Sequence, residues 1–254
     1  MDWIPAELEL PSVLLLLASS LLTSMLSAAF GLGGGVALLA IMTLFLPITS
    51  VIPLHGVIQA GSNLSRLALL LQYVDWRTVT AFTLGTLLGV AAGSLVLIEL
   101  PTGLPELILG LFIVWTLSGL QPRLATGRRQ AALTLGGVGT GFATLFVGAT
   151  GPLVAAVMRI LRLQRHRHVA TFAACMVLQH LTKIVAFALL GFSLAPWLPF
   201  LAGMLMTGLL GTWLGRQVLD RLDEAVFRVV LSGILALLAA RLIYQGVQGL
   251  VGHG

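Results

Sequence analysis

Long apolar stretches recur along the chain at roughly 11–46, 51–73, 77–99, 104–120, 131–161, 169–191, 194–219 and 225–246. Most reach the roughly 20 residues that carry a helix across a bilayer. Polar residues fall in the short breaks between stretches and on one face of a few of them. Alternation over about ten residues, the mark of a barrel strand, is not seen. The pattern predicts an all-α fold, a polytopic membrane helical bundle, because helices and closed barrels alone satisfy their backbone inside lipid. The stretches take up nearly the whole chain, which leaves one integral membrane domain. Composition agrees: 9% of residues are charged, against about 25% in a soluble domain.

Two stretches are longer than a span and are interrupted by glycine. The first breaks at Gly31-Leu32-Gly33-Gly34-Gly35 and the second at Gly148-Ala149-Thr150-Gly151-Pro152. Arginines accumulate in short cytoplasmic loops. Arg123, Arg128 and Arg129 precede the stretch 131–161, while Arg159, Arg162, Arg165 and Arg167 end or follow it. Both its ends are therefore expected on one side, and the chain must turn back within the membrane. Gly admits left-handed backbone and Pro starts the return helix without needing a donor.

Placing Phe30 on Phe146 aligns Gly35 with Gly151 and Met42 with Met158, and "LLGVAAG" at 87–93 then falls over "LLGTWLG" at 209–215. This predicts two repeats. Residues 1–122 hold a hairpin at 11–46 and spans at 51–73, 77–99 and 104–120; residues 123–254 hold a hairpin at 131–161 and spans at 169–191, 194–219 and 225–246. One hairpin and three spans give an odd number of crossings, so the halves are expected in inverted topology. The pairs Gly89/Gly93 and Gly211/Gly215 each offer a face for close helix approach, a reading that also stands without any repeat. With both termini outside, eleven of the fourteen basic residues lie inside: Arg77, the two clusters around 131–161, and Arg216, Arg221 and Arg228. Arg241 lies outside, and Arg66 and Lys183 lie within the membrane.

The strongest chemical signal is "PLHGVIQAGSNLSR", 53–66. At about 100° per residue, His55, Gln59, Ser62, Asn63 and Arg66 share one helix face. A central Arg costs at least about 2.5 kcal/mol in lipid, so this face should point inward. In the second half Thr171, Cys175, Gln179 and Thr182 take the equivalent positions, with His180 and Lys183 beside them. Glu99 and Glu106 fall at a boundary, so the two cations lack a deep acid and are expected to face an anion in one cavity. The alternative is that they bond carbonyls and hydroxyls or snorkel. His55 and His180 are proton-coupling candidates, because imidazole titrates near neutrality, or they are satisfied core residues. Two histidines without carboxylates make a poor metal site, so neither metal nor cofactor is expected. "GLGGG" lacks the lysine and the strand of a phosphate loop, and close packing of helices is its plain alternative.

The remaining features narrow the setting. The N-terminus carries Asp2, Glu7 and Glu9 in place of a positive start and cleavage site, so the first segment is expected to be retained. Cys175, the single cysteine, makes neither an intrachain disulfide nor a dithiol pair. The basic run with His166 and His168 is read as setting topology and touching anionic headgroups. Membrane lipids are expected partners and nucleic acid is not; a homo-oligomer stays open.

"GLGGG", "PLHGVIQAGSNLSR", "VDWR" (74–77), "FVGATGPLVA" and "ATFAACMVLQHLTK" together resemble the TauE/SafE family of bacterial sulfite and organosulfonate exporters, over about 12–246. The resemblance implies an inner-membrane permease that exports a small anion such as sulfite or sulfoacetate, and no enzyme; the outside termini read from the charges are then periplasmic. It implies that Gly33, Gly34, Gly35, Gly148 and Gly151 form substrate-facing turns. With the polar faces, the expected binding set adds His55, Gln59, Asn63, Arg66, Thr150, Gln179 and Lys183, around which access alternates near the midplane. Many members carry a Thr-Ser pair where this chain has His55-Gly56 and Ser62-Asn63, which leaves the anion open. An intramembrane enzyme, with Ser62, Ser65 and the histidines as raw material but no catalytic motif, and a membrane scaffold are the competing classes.

Overall fold

The computed structural model describes residues 5, 7–30, 33–97, 100–120, 129–218 and 224–251. Glu99, Arg123, Arg128 and Arg221 lie outside the described residues, as do the side chains of Arg216 and Arg228. The described residues form helices α1 (Leu10–Phe30), α2 (Gly34–Met42), α3 (Ile48–Leu70), α4 (Trp76–Leu97), α5 (Leu104–Leu117), α6 (Arg129–Val147), α7 (Gly151–Arg159), α8 (Arg165–Leu189), α9 (Leu198–Val218) and α10 (Glu224–Val251). The protein is an all-α, multi-pass membrane protein. Six of these helices are long and apolar enough to span, and large apolar side chains such as Leu14, Leu88, Leu95, Leu189 and Leu237 are exposed on the outside.

The other four depart from a simple span for identifiable reasons. α2 and α7 are nine residues each, about 13 Å at 1.5 Å per residue, half a membrane. α5 has 14 residues. α3 is long enough, but His55, Gln59, Ser62, Asn63 and Arg66 dilute its apolar character.

Packing joins the two ends of the chain. α4 lies along α6 with Gly85 against the Thr134 carbonyl and Gly89 against that of Val138; Gly137 in turn faces the Phe82 carbonyl. Residue numbers rise together, so these helices run the same way. α1 and α9 do likewise: Gly211 meets the Leu21 carbonyl, Gly215 meets that of Met25, and the Ser20 hydroxyl donates to the Met204 carbonyl at 2.8 Å. The glycine pairs read from sequence thus serve as contact faces between distant segments, and Gly85 joins them. α5 and α10 pair in opposite directions, Gly103 beside Gly246 and Gly110 beside Ile243. α3 and α8 are also antiparallel, touching where the Lys183 side chain lies over Gly56 and where the Asp75 N–H donates to the Thr171 hydroxyl at 3.0 Å.

At the arginine-rich end, Asp75 caps α4. Its carboxylate accepts from the Thr78 N–H at 3.4 Å and the Thr78 hydroxyl at 3.1 Å, and pairs with Arg129 at 3.0 Å. The acid of "VDWR" therefore ties the start of α4 to the start of α6, satisfying amide groups that have no partner within the helix.

Candidate functional site

Each interrupted helix makes an elbow. In the first, Gly33 has φ 103°, a region closed to most side chains. The first turn of α2 then lies so close to α1 that a Cβ on Gly34 would strike the Thr23 carbonyl and the Ser27 hydroxyl, and Gly35 is roofed by the Gln59 amide. The Gly35 carbonyl sits 2.8 Å from His55 Nε2. A carbonyl only accepts, so Nε2 carries the proton and Nδ1 is left as an acceptor; Nδ1 is buried with no partner among the described residues.

In the second elbow Gly148 has φ 66°, and its carbonyl accepts from Lys183 Nζ at 2.9 Å. This carbonyl closes α6, where the helix dipole favours a cation. Lys183 is wholly buried. Beside it, the Thr150 hydroxyl donates to Gln179 Oε1 at 2.9 Å, and Gln179 Nε2 donates to the Thr140 hydroxyl at 3.0 Å. The chain fixes the Gln179 amide and anchors the residue from which α7 starts.

The two elbows meet. Gly33 and Gly35 from one and Ala149, Gly151 and Pro152 from the other line a single cleft of about 40 Å³, closed by Ser27, Gln59, Asn63, Arg66, Phe172, Met176 and His180. A water needs roughly 10–15 Å³ of such space, so the cleft takes a few waters or one small oxyanion. Both half-helices begin at its wall, so their positive dipole ends lie beside it. Arg66 is half-buried; Nε donates to the Ser62 carbonyl at 3.3 Å and Nη2 to the Ser62 hydroxyl at 3.2 Å. Neither nitrogen of the His180 ring, nor Asn63 Oδ1, has a partner among the described residues. His180 stands edge-on to His55 with ring centroids 6.2 Å apart. Among the described residues, no carboxylate lines the cleft.

Of the residues expected from the sequence, the cleft gathers Gly33, Gly35, Gln59, Asn63, Arg66 and Gly151, together with His180. Gly34, His55, Gly148, Thr150, Gln179 and Lys183 lie behind it, in the frame that holds the elbows. Lys183 departs most from expectation: it does not line the cleft beside Arg66 but clamps the end of α6. It stands one position past Thr182, the counterpart of Arg66, hence about 100° around its helix, where it crosses Gly56 to reach Gly148. Ser27, Phe172 and Met176 were missed. Phe172, Met176 and His180 share a face at i, i+4 and i+8, a spacing that for apolar residues reads as core packing. A larger void, of about 560 Å³, is lined by apolar residues such as Ile52, Phe146 and Phe187; it holds none of the expected site residues.

These features define a polytopic helical membrane protein in which two interrupted helices meet at a small cleft that, among the described residues, no carboxylate lines. Residues 16–242 match the family model described as sulfite exporter TauE/SafE. The chain belongs to that family, a family of membrane transporters. Comparison with curated proteins and with solved structures gave no match.

Proposed function

We propose that this protein is an inner-membrane exporter of a small oxyanion, with sulfite as the substrate that best suits the cleft and an organosulfonate such as sulfoacetate as the larger candidate. The observation that carries the reading is the meeting of both glycine elbows at one small cleft that holds Arg66 and, among the described residues, no acid. An anion there would neutralise a guanidinium whose hydrogen-bond partners among the described residues are neutral oxygens of Ser62, and would receive the positive ends of α2 and α7. Family membership supports transport over catalysis.

The mechanism is alternating access between two inverted repeats. Its support is the exchange of partners: the broken-helix arm α1 runs with α9, as α6 runs with α4, while α3 opposes α8 and α5 opposes α10. That is the set of contacts a two-fold axis in the membrane plane generates. The arginine-rich end is assigned to the cytoplasm and both termini to the periplasm. Arg66 receives the anion, Gln59 and Asn63 offer amide groups, and Lys183 holds the second elbow until the anion arrives beyond it. His180, whose ring nitrogens have no partner among the described residues, and His55 next to it are the proton carriers, facing Lys183 and Arg66.

The test is efflux from proteoliposomes loaded with sulfite, thiosulfate or sulfoacetate. Sulfite should leave fastest, and protein-free liposomes should retain all three. Release no faster than from protein-free liposomes for every anion contradicts the proposal.

A further inference from the structure

A second polar cavity, of about 390 Å³, lies at the opposite end of α2 from the cleft. Its walls are the turn from Thr43 to Pro47, the start of α5 at Thr102, Gly103 and Glu106, and Arg241 and Gln245 of α10. Arg241 Nη1 donates to the Thr43 carbonyl at 3.1 Å. A guanidinium has five donors; one closes α2, and among the described residues no other hydrogen bond engages the rest. Glu106 contributes a carboxylate oxygen, Oε2, that is buried without a partner among the described residues. A buried carboxylate oxygen without a donor is costly. The cavity thus holds one anion receptor and one unsatisfied anion, a pair that repels a simple anion at Glu106 and a simple cation at Arg241. It suits a ligand carrying both charges.

Its position suggests where that ligand comes from. The 14 residues of α5 span about 21 Å, short of the roughly 30 Å hydrocarbon core, and a bilayer thins around so short a span, which brings headgroups toward its ends. Leu44, at the rim of the cavity, is an exposed apolar residue that a lipid stem can cover. We propose that this cavity binds the headgroup of a phospholipid whose phosphodiester faces Arg241 and whose primary ammonium donates to Glu106. Because Arg241 also holds the end of α2, the lipid is tied to the rod whose other end forms the cleft. The inference rests on the membrane-spanning fold and is independent of which anion the cleft takes.

The test uses the full chain, purified with phosphatidylethanolamine or with phosphatidylcholine of the same acyl chains, and counts retained lipid by native mass spectrometry. Phosphatidylcholine has no N–H to give Glu106. The native chain should retain one phosphatidylethanolamine with a preference of about tenfold, as a charge-assisted bond implies. Glu106→Gln should bring that preference below about threefold. Arg241→Lys, which keeps a donor for Thr43, should weaken both lipids alike. Equal retention of the two lipids by the native chain, or an unchanged preference in Glu106→Gln, overturns the site. Full competition by soluble phosphoethanolamine at matched concentration overturns the lipid as its occupant.

Discussion

The elbow between α1 and α2 and the elbow between α6 and α7 begin from the same sequence device and are held by opposite chemistry. In the first, the space beside the glycines is full: Thr23, Ser27 and Gln59 crowd Gly34 and Gly35, and the His55 imidazole takes the Gly35 carbonyl. In the second, Gly151 has open space, its nearest neighbour being Phe172 at 4.0 Å from a would-be Cβ, and a buried ammonium takes the Gly148 carbonyl. A glycine break fixes where a helix turns. What surrounds it decides how the turn is held: steric crowding at Gly34 and Gly35 holds the first elbow, and the hydrogen bonds of Lys183 and Gln179 hold the second.

Gly34→Ala should have the largest effect on stability, because the new methyl meets backbone that cannot retreat. About 1–3 kcal/mol is expected, read as a lower Tm in detergent. Gln179→Leu should follow at about 1–2 kcal/mol, since it removes the acceptor of the Thr150 hydroxyl and the donor to that of Thr140. Lys183→Met should change stability less than either. It frees the Gly148 carbonyl but also removes a charge that is costly to bury, so its signature is sulfite efflux slowed about tenfold or more with Tm nearly kept. Gly151→Ala should be smallest, within about 0.5 kcal/mol, and should slow sulfoacetate before sulfite as the cleft shrinks. A Gly151→Ala chain as unstable as Gly34→Ala would erase the contrast between the elbows.

The sequence made the elbows legible because Gly-Gly-Gly and Gly-x-x-Gly-Pro inside apolar runs have few physical readings. It made one wall of the cleft legible because Gln59, Asn63 and Arg66 recur at helical spacing in a segment that should otherwise be apolar. It also marked Gly89 and Gly211 as contact faces, but a glycine does not name its partner, so the pairing of α4 with α6 and of α1 with α9 was out of reach. Phe172 and Met176 were hidden for a different reason: an apolar residue looks the same whether it faces a core or a cleft. The role of Lys183 turned on one residue of helical phase, which a thin repeat alignment does not resolve. Glu106 was seen at a boundary; only the folded chain brings Arg241 to the same cavity.

The most direct test of the anion cleft is the rate of radiolabelled sulfite efflux from liposomes carrying the native chain or Arg66→Met, with folding matched by Tm. The account predicts that the variant keeps its fold and loses at least about tenfold in rate, or about 1.4 kcal/mol. Equal rates from the two chains would contradict it.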